Sequence, residues 1–467
     1  MVKQNFLAYR VKFENISKQP TFRPDLKYRR FWDYEKGILF QGIKYIRLDK
    51  VLSEIKVSKE AKGDLDEPHF LLNISDKKPG EILLEDLVEV EEVGSSKNPL
   101  TDADVIISKL GLPKGYIFYN DKIKYPKLIG SSELIPYLIV NSEYEAKFVT
   151  YLLSHPEVLK KYRNLESGKT PSHWRVNPFD ILKTYIPEIN HETQLEALKK
   201  IEPIENEIQL LKNKIKKPLD IIDEVFQKEL KLPKVLYQRR FSSNLVDFSF
   251  GEELRFSSKH IFYSRELKKI LITHNHVTLN SLLLEEPMYG AGQAGIDKTS
   301  DEEVRYLRIT DVGEVGNLLY DEEKTVNEID KKYILEDNDF LFARSGNTVG
   351  KSFLYNSSIH PELLFAGYFI KFKIDFSKLD PLFFLYYTKS SIFDIWKNSV
   401  IRVMGQPNIN AEEYRTLPVL LVPKRKQVKV VNEIKNLIEK QREIEHAIHS
   451  KRCKIYGLIS EAVSIKK

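Results

Sequence analysis

The sequence predicts an α/β (α+β) fold: two similar domains separated by two long antiparallel coiled-coil helices, a pseudo-two-fold tandem repeat. The first observation behind this is a duplicated string. Asp104-Val-Ile-Ile-Ser-Lys109-Leu-Gly111-Leu-Pro-Lys114-Gly115 and Asp339-Phe-Leu-Phe-Ala-Arg344-Ser-Gly346-Asn-Thr-Val-Gly350 stand 235 residues apart. Acid, apolar strand core, base and two glycines align position for position. A duplication of this kind constrains the architecture before any chemistry is considered. The second observation is that each half closes in a stretch with apolar residues every three or four positions, the seam of a long packed helix.

Taken in order, the elements repeat. Lys44-Tyr45-Ile46-Arg47-Leu48 matches Arg305-Tyr306-Leu307-Arg308-Ile309, and both read as short strands of alternating basic and apolar residues. The duplicated string follows each, then a Tyr-Asn pair (Tyr119-Asn120, Tyr355-Asn356). Helix-like apolar segments come next, at Tyr144–Leu153 and Pro381–Ile395. A polar glycine-containing loop follows in each half: Ser167-Gly168 through His173-Trp174-Arg175 to Asn177, and Met404-Gly405-Gln406-Pro407-Asn408-Ile409-Asn410. A strand then ends at Ile186-Pro187 or Val422-Pro423. The first closing helix has its seam at Ile201, Ile204, Ile208, Leu211, Ile215, Leu219, Ile222 and Phe226. Pro203 and Pro218 interrupt it, which predicts a late start and a kink. The second runs Val430, Ile434, Leu437, Gln441, Ile444, Ile448, Lys451, Ile455, Leu458, with Gln441 and Lys451 as polar seam positions that set register. The organisation is therefore domain 1–190, helix 191–232, domain 233–423, helix 424–467.

At 467 residues the chain exceeds one ordinary core, and 42% hydrophobic content suffices for two. Charges nearly balance, 73 basic against 67 acidic for a net +6. That permits nucleic-acid binding without requiring it. A single cysteine, Cys453, excludes a disulfide framework and a cysteine-based zinc site. The first residues contain no apolar core of a signal peptide, and no apolar run is long enough to span a bilayer. A cytoplasmic protein is expected.

The combined features resemble the specificity subunit of type I restriction–modification systems. The residues that carry the resemblance are the doubled Asp-x4-(Lys/Arg)-x-Gly-x3-Gly string, Tyr289-Gly290 followed by Arg305–Asp311, Gly405-Gln406-Pro407-Asn408-Ile409-Asn410, and Pro423 with Gln427. The first half departs from it, with Lys109-Leu110 in place of Arg344-Ser345 and no Gly-Gln-Pro-Asn string. The resemblance implies a prokaryotic DNA specificity subunit without catalysis of its own. Two target-recognition domains would each read half of a bipartite, gapped double-stranded DNA target. The helices would set the gap and dock two methyltransferase subunits, with motor-nuclease subunits joining the same complex. It implies no cofactor in this chain, with S-adenosylmethionine, ATP and magnesium on the partner subunits.

The residues themselves support DNA contacts. Lys109 and Arg344 follow strands and open glycine-rich turns, where backbone N–H groups and a cation can meet phosphate or a guanine edge. Gln406, Asn408 and Asn410 can bond adenine bidentately, and they equally suit a turn. Tyr289, with Gly290 and Gln293, can stack or bond in a groove, although a tyrosine near strands equally suits the core. His173, Trp174 and Arg175 form an aromatic-basic cluster, in which Trp174 is alternatively a packing anchor. Arg47, Lys114, Arg308 and Lys351 complete the candidate set on the same strands and turns.

Several strings mislead. Gly290-Ala-Gly292-Gln-Ala-Gly295 matches a dinucleotide fingerprint, but a loop and no helix is expected after it. Gly346 to Ser352 approaches a P-loop but is one residue short between its glycines, and Ser352 onwards reads as a strand. No Asn-Pro-Pro-Tyr or Asp-Pro-Pro-Tyr box occurs to hold a flipped base. Two other readings stay open: a stand-alone metal-dependent nuclease using Asp25, Glu54 and Lys56, and a non-DNA scaffold whose coiled coil gathers protein partners and whose end domains bind other proteins.

Overall fold

Val105–Ser108 and Asp339–Ala343 are buried along their whole length, as expected of short apolar runs bounded by turn signals. Each is the central strand of one half of the protein. The computed structural model describes residues 23–464 apart from 24, 59–62, 79, 169–172, 234–257, 321 and 402–405. The chain divides into two units, residues 1–213 with 446–467, and residues 214–445.

In the first unit the main sheet runs Leu52–Glu54, Leu134–Ile139, Val105–Ser108, Ile117–Tyr119, all antiparallel. In the second unit it runs Met288–Tyr289, Phe369–Lys373, Asp339–Ala343, Ser352–Leu354, again antiparallel. One shift of 235 relates the registers of three ladders in the two units. Val105 opposite Tyr137 becomes Phe340 opposite Phe372, and Val105 opposite Tyr119 becomes Phe340 opposite Leu354. The parallel pair Phe70–Leu128 likewise becomes Arg305–Leu363. A slip of one residue would turn every side chain to the other face, so three ladders at one shift are a strict correspondence.

The ladders correct two matches made on the sequence. Tyr45–Arg47 pairs with Tyr185–Pro187, and its counterpart is His276–Thr278, paired with Pro418–Leu420. Arg305–Leu307 corresponds instead to Phe70–Leu72. The Tyr-Asn pairs are also out of step by one. The Asn120 N–H donates to Asp104 O and the Tyr355 N–H to Asp339 O, so Tyr355 stands where Asn120 does. The segment Pro381–Ile395 forms two helices, Pro381–Tyr387 and Ser391–Val400, matched by Ala146–Leu153 and Pro156–Tyr162.

In the second unit both faces of the main sheet are covered. Phe340 and Phe342 pack with Phe384, Phe393, Trp396 and Tyr414. Leu341, Ala343 and Phe353 pack on the other side with Leu307, Leu363 and Phe365. What remains open is the turn at the end of the central strand.

The first spacer helix starts at once, at His191, and runs to Lys212 with Pro203 inside it. An interior proline costs about 3 kcal/mol or more, and burial of Ile201, Ile204 and Ile208 around it offsets that. The expected kink at Pro218 is a break: residues 213–217 are not helical, and Pro218 is the first residue of a new helix, Pro218–Leu230, the position proline favours. The closing helix runs Lys424–Ser464. Within the second unit Lys216 N–H donates to Gln441 (2.9 Å), Lys228 pairs with Glu433 (2.7 Å), and Lys429 with Glu229 (2.9 Å). One set of numbers rises as the other falls, so these segments run antiparallel. Among the described residues no helix is long and apolar enough to cross a membrane.

Candidate nucleic-acid interface

The base of each duplicated string is held by its backbone on both sides. Lys109 N–H donates to Glu133 O (2.8 Å), and its carbonyl receives Val176 N–H (3.0 Å). Arg344 N–H donates to Tyr368 O (3.0 Å), and its carbonyl receives Ile409 N–H (2.8 Å). The strand thus ends between two neighbouring segments at the mouth of a turn. Both glycines of each turn are left-handed: Gly111 at φ 63° and Gly115 at 88°, Gly346 at 80° and Gly350 at 87°. Only glycine adopts this readily, which accounts for the spacing of the string.

In the second unit four residues meet at this turn. The Arg344 guanidinium lies over the Tyr289 ring, 5.1 Å from its centre. Tyr289 is 41% exposed, and its hydroxyl accepts the Ala411 N–H at 3.3 Å. Gln406 and Asn408 are exposed and flank Pro407, whose carbonyl receives Gly346 N–H at 2.9 Å. Asn408 bridges to Ser345. Gln406 Nε2 lies 3.2 Å from where a β-carbon of residue 346 would stand, so Gly346 also makes room for the carboxamide. The buried Arg344 Nε has no hydrogen-bond partner among the described residues, an unusual state for such a donor. A guanidinium and two carboxamides on one loop cluster are the groups that bond guanine and adenine edges. Asn410 serves differently: its side chain accepts Glu413 N–H (2.8 Å) and Glu413 returns the bond (2.9 Å), a capping box on Ala411–Arg415.

The first unit fills the same place with other chemistry. Leu110 bridges to Arg175 as Ser345 does to Asn408, so His173, Trp174 and Arg175 stand where Gln406, Pro407 and Asn408 do. Arg175 forks onto Glu133 with two bonds of 3.0 Å, which raises its pKa. Trp174 is 38% exposed. Lys109 is half-buried and Lys114 exposed at the end of the short turn Leu112–Lys114.

The remaining candidates hold intramolecular bonds. Arg47 pairs with Asp49 at 2.7 Å. Arg308 forks onto Asp311 (2.7 and 3.1 Å) and reaches Glu322 O. Gln293 Nε2 donates to Glu328 O at 2.9 Å. Lys351 Nζ donates to Ile309 O at 3.1 Å, and burial lowers its pKa. Three residues were missed. Tyr368 is 61% exposed beside Arg344. Lys389 and Lys397 gather near Lys351: Lys389 Nζ donates to Ser352 O (3.1 Å), and Lys397 Cδ lies 2.7 Å from a β-carbon built on Gly350. Burial, then the charges of Lys351 and Lys397, bring the Lys389 pKa down to about 7.

The misleading strings have structural uses. A β-carbon on Gly290 would stand 2.3 Å from Ala366 O, so this glycine lets two backbones touch. A short strand precedes the string, and Ile296–Asp297 after it is a strand rather than the expected loop. Asp25 caps the helix Leu26–Asp33 and pairs with Arg23, and Glu54 pairs with Lys56 at 3.3 Å. Among the described residues no group of three or more His, Cys, Asp or Glu side chains could hold a metal ion. Gly405 and residues 169–172 lie outside the described residues, as does the N-terminal stretch.

Residues 294–451 match the family model described as the type I restriction modification DNA specificity domain. The matched stretch contains Arg344, Gln406 and Asn408, with Tyr289 just ahead of it. Three solved structures are similar to most of this chain. One, titled as the structural basis of complex assembly and conformational transition of the type I R-M system, is 12% identical over 91% of this chain and 98% of that one, with a TM-score of 0.43. The type I restriction-modification S subunit from M. genitalium is 14% identical over 91% and 96%, at 0.37. The HsdS subunit from Thermoanaerobacter tengcongensis is 13% identical over 90% and 96%, at 0.32. No curated protein matches.

Proposed function

We propose that this chain is the DNA specificity subunit of a type I restriction–modification complex. What supports the reading above all is that the second unit, which carries the specificity domain, shares its strand register with the first at a constant shift. Two versions of one scaffold then present different side chains at the same turn: Arg344, Gln406 and Asn408 in one, Lys109, His173, Trp174 and Arg175 in the other. Two different half-sites of one gapped target follow from that difference. The long helices carry the two recognition domains and dock two methyltransferase subunits, with motor-nuclease subunits joining them. Catalysis, together with S-adenosylmethionine, ATP and magnesium, belongs to those partners, in a prokaryotic cytoplasm.

The test is a base-resolution map of adenine methylation in the host, with and without the gene and with residues 1–190 exchanged for those of a relative. Deletion should remove one bipartite, gapped motif, and the exchange should alter one half of it only. An exchange that alters both halves or neither, or a deletion that changes nothing, overturns the reading.

A further inference from the structure

Each long helix is joined to its unit by one buried glutamine that makes the same three bonds. Gln194 is fully buried. Its Oε1 accepts the Glu145 N–H (3.0 Å), and its Nε2 donates to Glu143 O (2.9 Å) and Ile189 O (2.9 Å). Gln427 is 1% exposed. Its Oε1 accepts the Asp380 N–H (2.6 Å), and its Nε2 donates to Lys378 O (3.2 Å) and Val422 O (2.6 Å). Glu145 and Asp380 each stand at the cap of the first domain helix, Ala146–Leu153 or Pro381–Tyr387. Ile189 and Val422 each lie two residues before a long helix that begins at His191 or Lys424. One carboxamide therefore ties the start of the spacer helix, the segment entering it and the start of the domain helix.

The chemistry admits few substitutes. The joint needs one acceptor and two donors on a single planar group, which a carboxylate or an apolar chain lacks. All six partner atoms are backbone, so the bonds hold backbone geometry whatever the partner side chains are. The other fasteners differ between units. The first uses Lys147 and Tyr151 on Glu205 (both 2.5 Å) and His191 on Glu145 (2.7 Å). The second uses Ser391 N–H on Asp223 (2.7 Å). Among these fasteners, only the glutamine is common to both.

Resting on the function proposed above, we infer that Gln194 and Gln427 are positioning residues: each holds its recognition domain at a fixed angle to its own helix and so sets the number of base pairs between the half-sites. A domain of this size has a radius of gyration of roughly 16 Å. A tilt of about 10° at the joint displaces its centre, roughly 16 Å away, by roughly 3 Å, close to one base-pair step. Loosening a joint therefore relaxes the gap, not the half-sites.

The experiment expresses the full complex against a plasmid library whose two half-sites are separated by the wild-type gap or by one base pair more or fewer, and reads methylation at each. Gln194→Met and Gln427→Met should each lose roughly tenfold of the preference for the wild-type gap, the equivalent of one or two hydrogen bonds, while both half-site sequences stay the same. Unchanged gap preference with uniformly lower methylation means that the glutamines only stabilise the fold, and overturns the inference. Should a Met variant fail to assemble, Gln427→Glu, which keeps the oxygen facing the Asp380 N–H, reads the same two outcomes. A wild-type map with no gapped motif overturns the proposed function itself, and this inference with it.

Discussion

The guanidinium of Arg344 lies over the Tyr289 ring, which restricts its orientation. Arg344→Lys keeps the charge and loses the fork. It should relax one position of the second half-site by about 1–3 kcal/mol of discrimination and leave the salt dependence of binding unchanged. Competition binding with half-sites altered one base at a time measures this, and an undiminished preference at every position would remove Arg344 from base reading. Lys389 makes a different kind of prediction. Its pKa, about 7 in the folded chain against an ordinary 10.5, means that the unfolded chain binds more protons between those values. Stability therefore rises with pH across that window, and the penalty is full below about pH 7. Lys389→Met should raise the melting temperature at neutral pH and flatten its rise toward pH 10. A variant that melts lower than wild type at pH 7 would show that the Ser352 contact outweighs the desolvation.

At the scale of elements, two asparagines two residues apart have opposite tasks. Asn410 caps Ala411–Arg415, whereas Asn408 is exposed beside the turn. Asn410→Ala should cost about 1 kcal/mol of stability with base preference intact, and Asn408→Ala should show the reverse. Denaturant melts paired with binding assays separate them, and matched losses in both variants would reject the division. The sequence showed this loop because its residue types are distinctive, and it showed the duplicated turn because left-handed glycines must sit at fixed spacing. It misplaced Lys44–Leu48 because five alternating residues fit any half-buried strand; the strand's identity lies in its partner, Tyr185–Pro187, far along the chain. The break before Pro218 was legible as a proline, but Pro203 looked equivalent and is not. One proline begins a helix, while the other is carried by the buried seam around it. Tyr368, Lys389 and Lys397 left no local signal, since only folding brings them to the turn.

For the molecule as a whole, a net charge of +6 is too small to hold DNA by a general field, so any attraction to DNA is local. The hairpin of Gly63–Leu72 with Val88–Val93 carries exposed Asp64, Asp66, Glu67, Glu89, Glu91 and Glu92, a surface that repels phosphate. The turn bearing Lys109 and Lys114 is basic and follows the central strand of the same unit. If DNA is met there, Lys109→Gln with Lys114→Gln lowers the slope of log K against log salt by about 0.9 for each phosphate contact removed. The loss applies equally to cognate and unrelated DNA, because a lysine on a phosphate carries no sequence information. Titrating the assembled complex at several salt concentrations reads the slope directly. A slope unmoved by the double substitution would place the phosphate contacts of the first unit elsewhere. A slope that falls on cognate DNA alone would make these lysines base readers, and the division between the two turns would then lie in which bases they read rather than in how they hold the backbone.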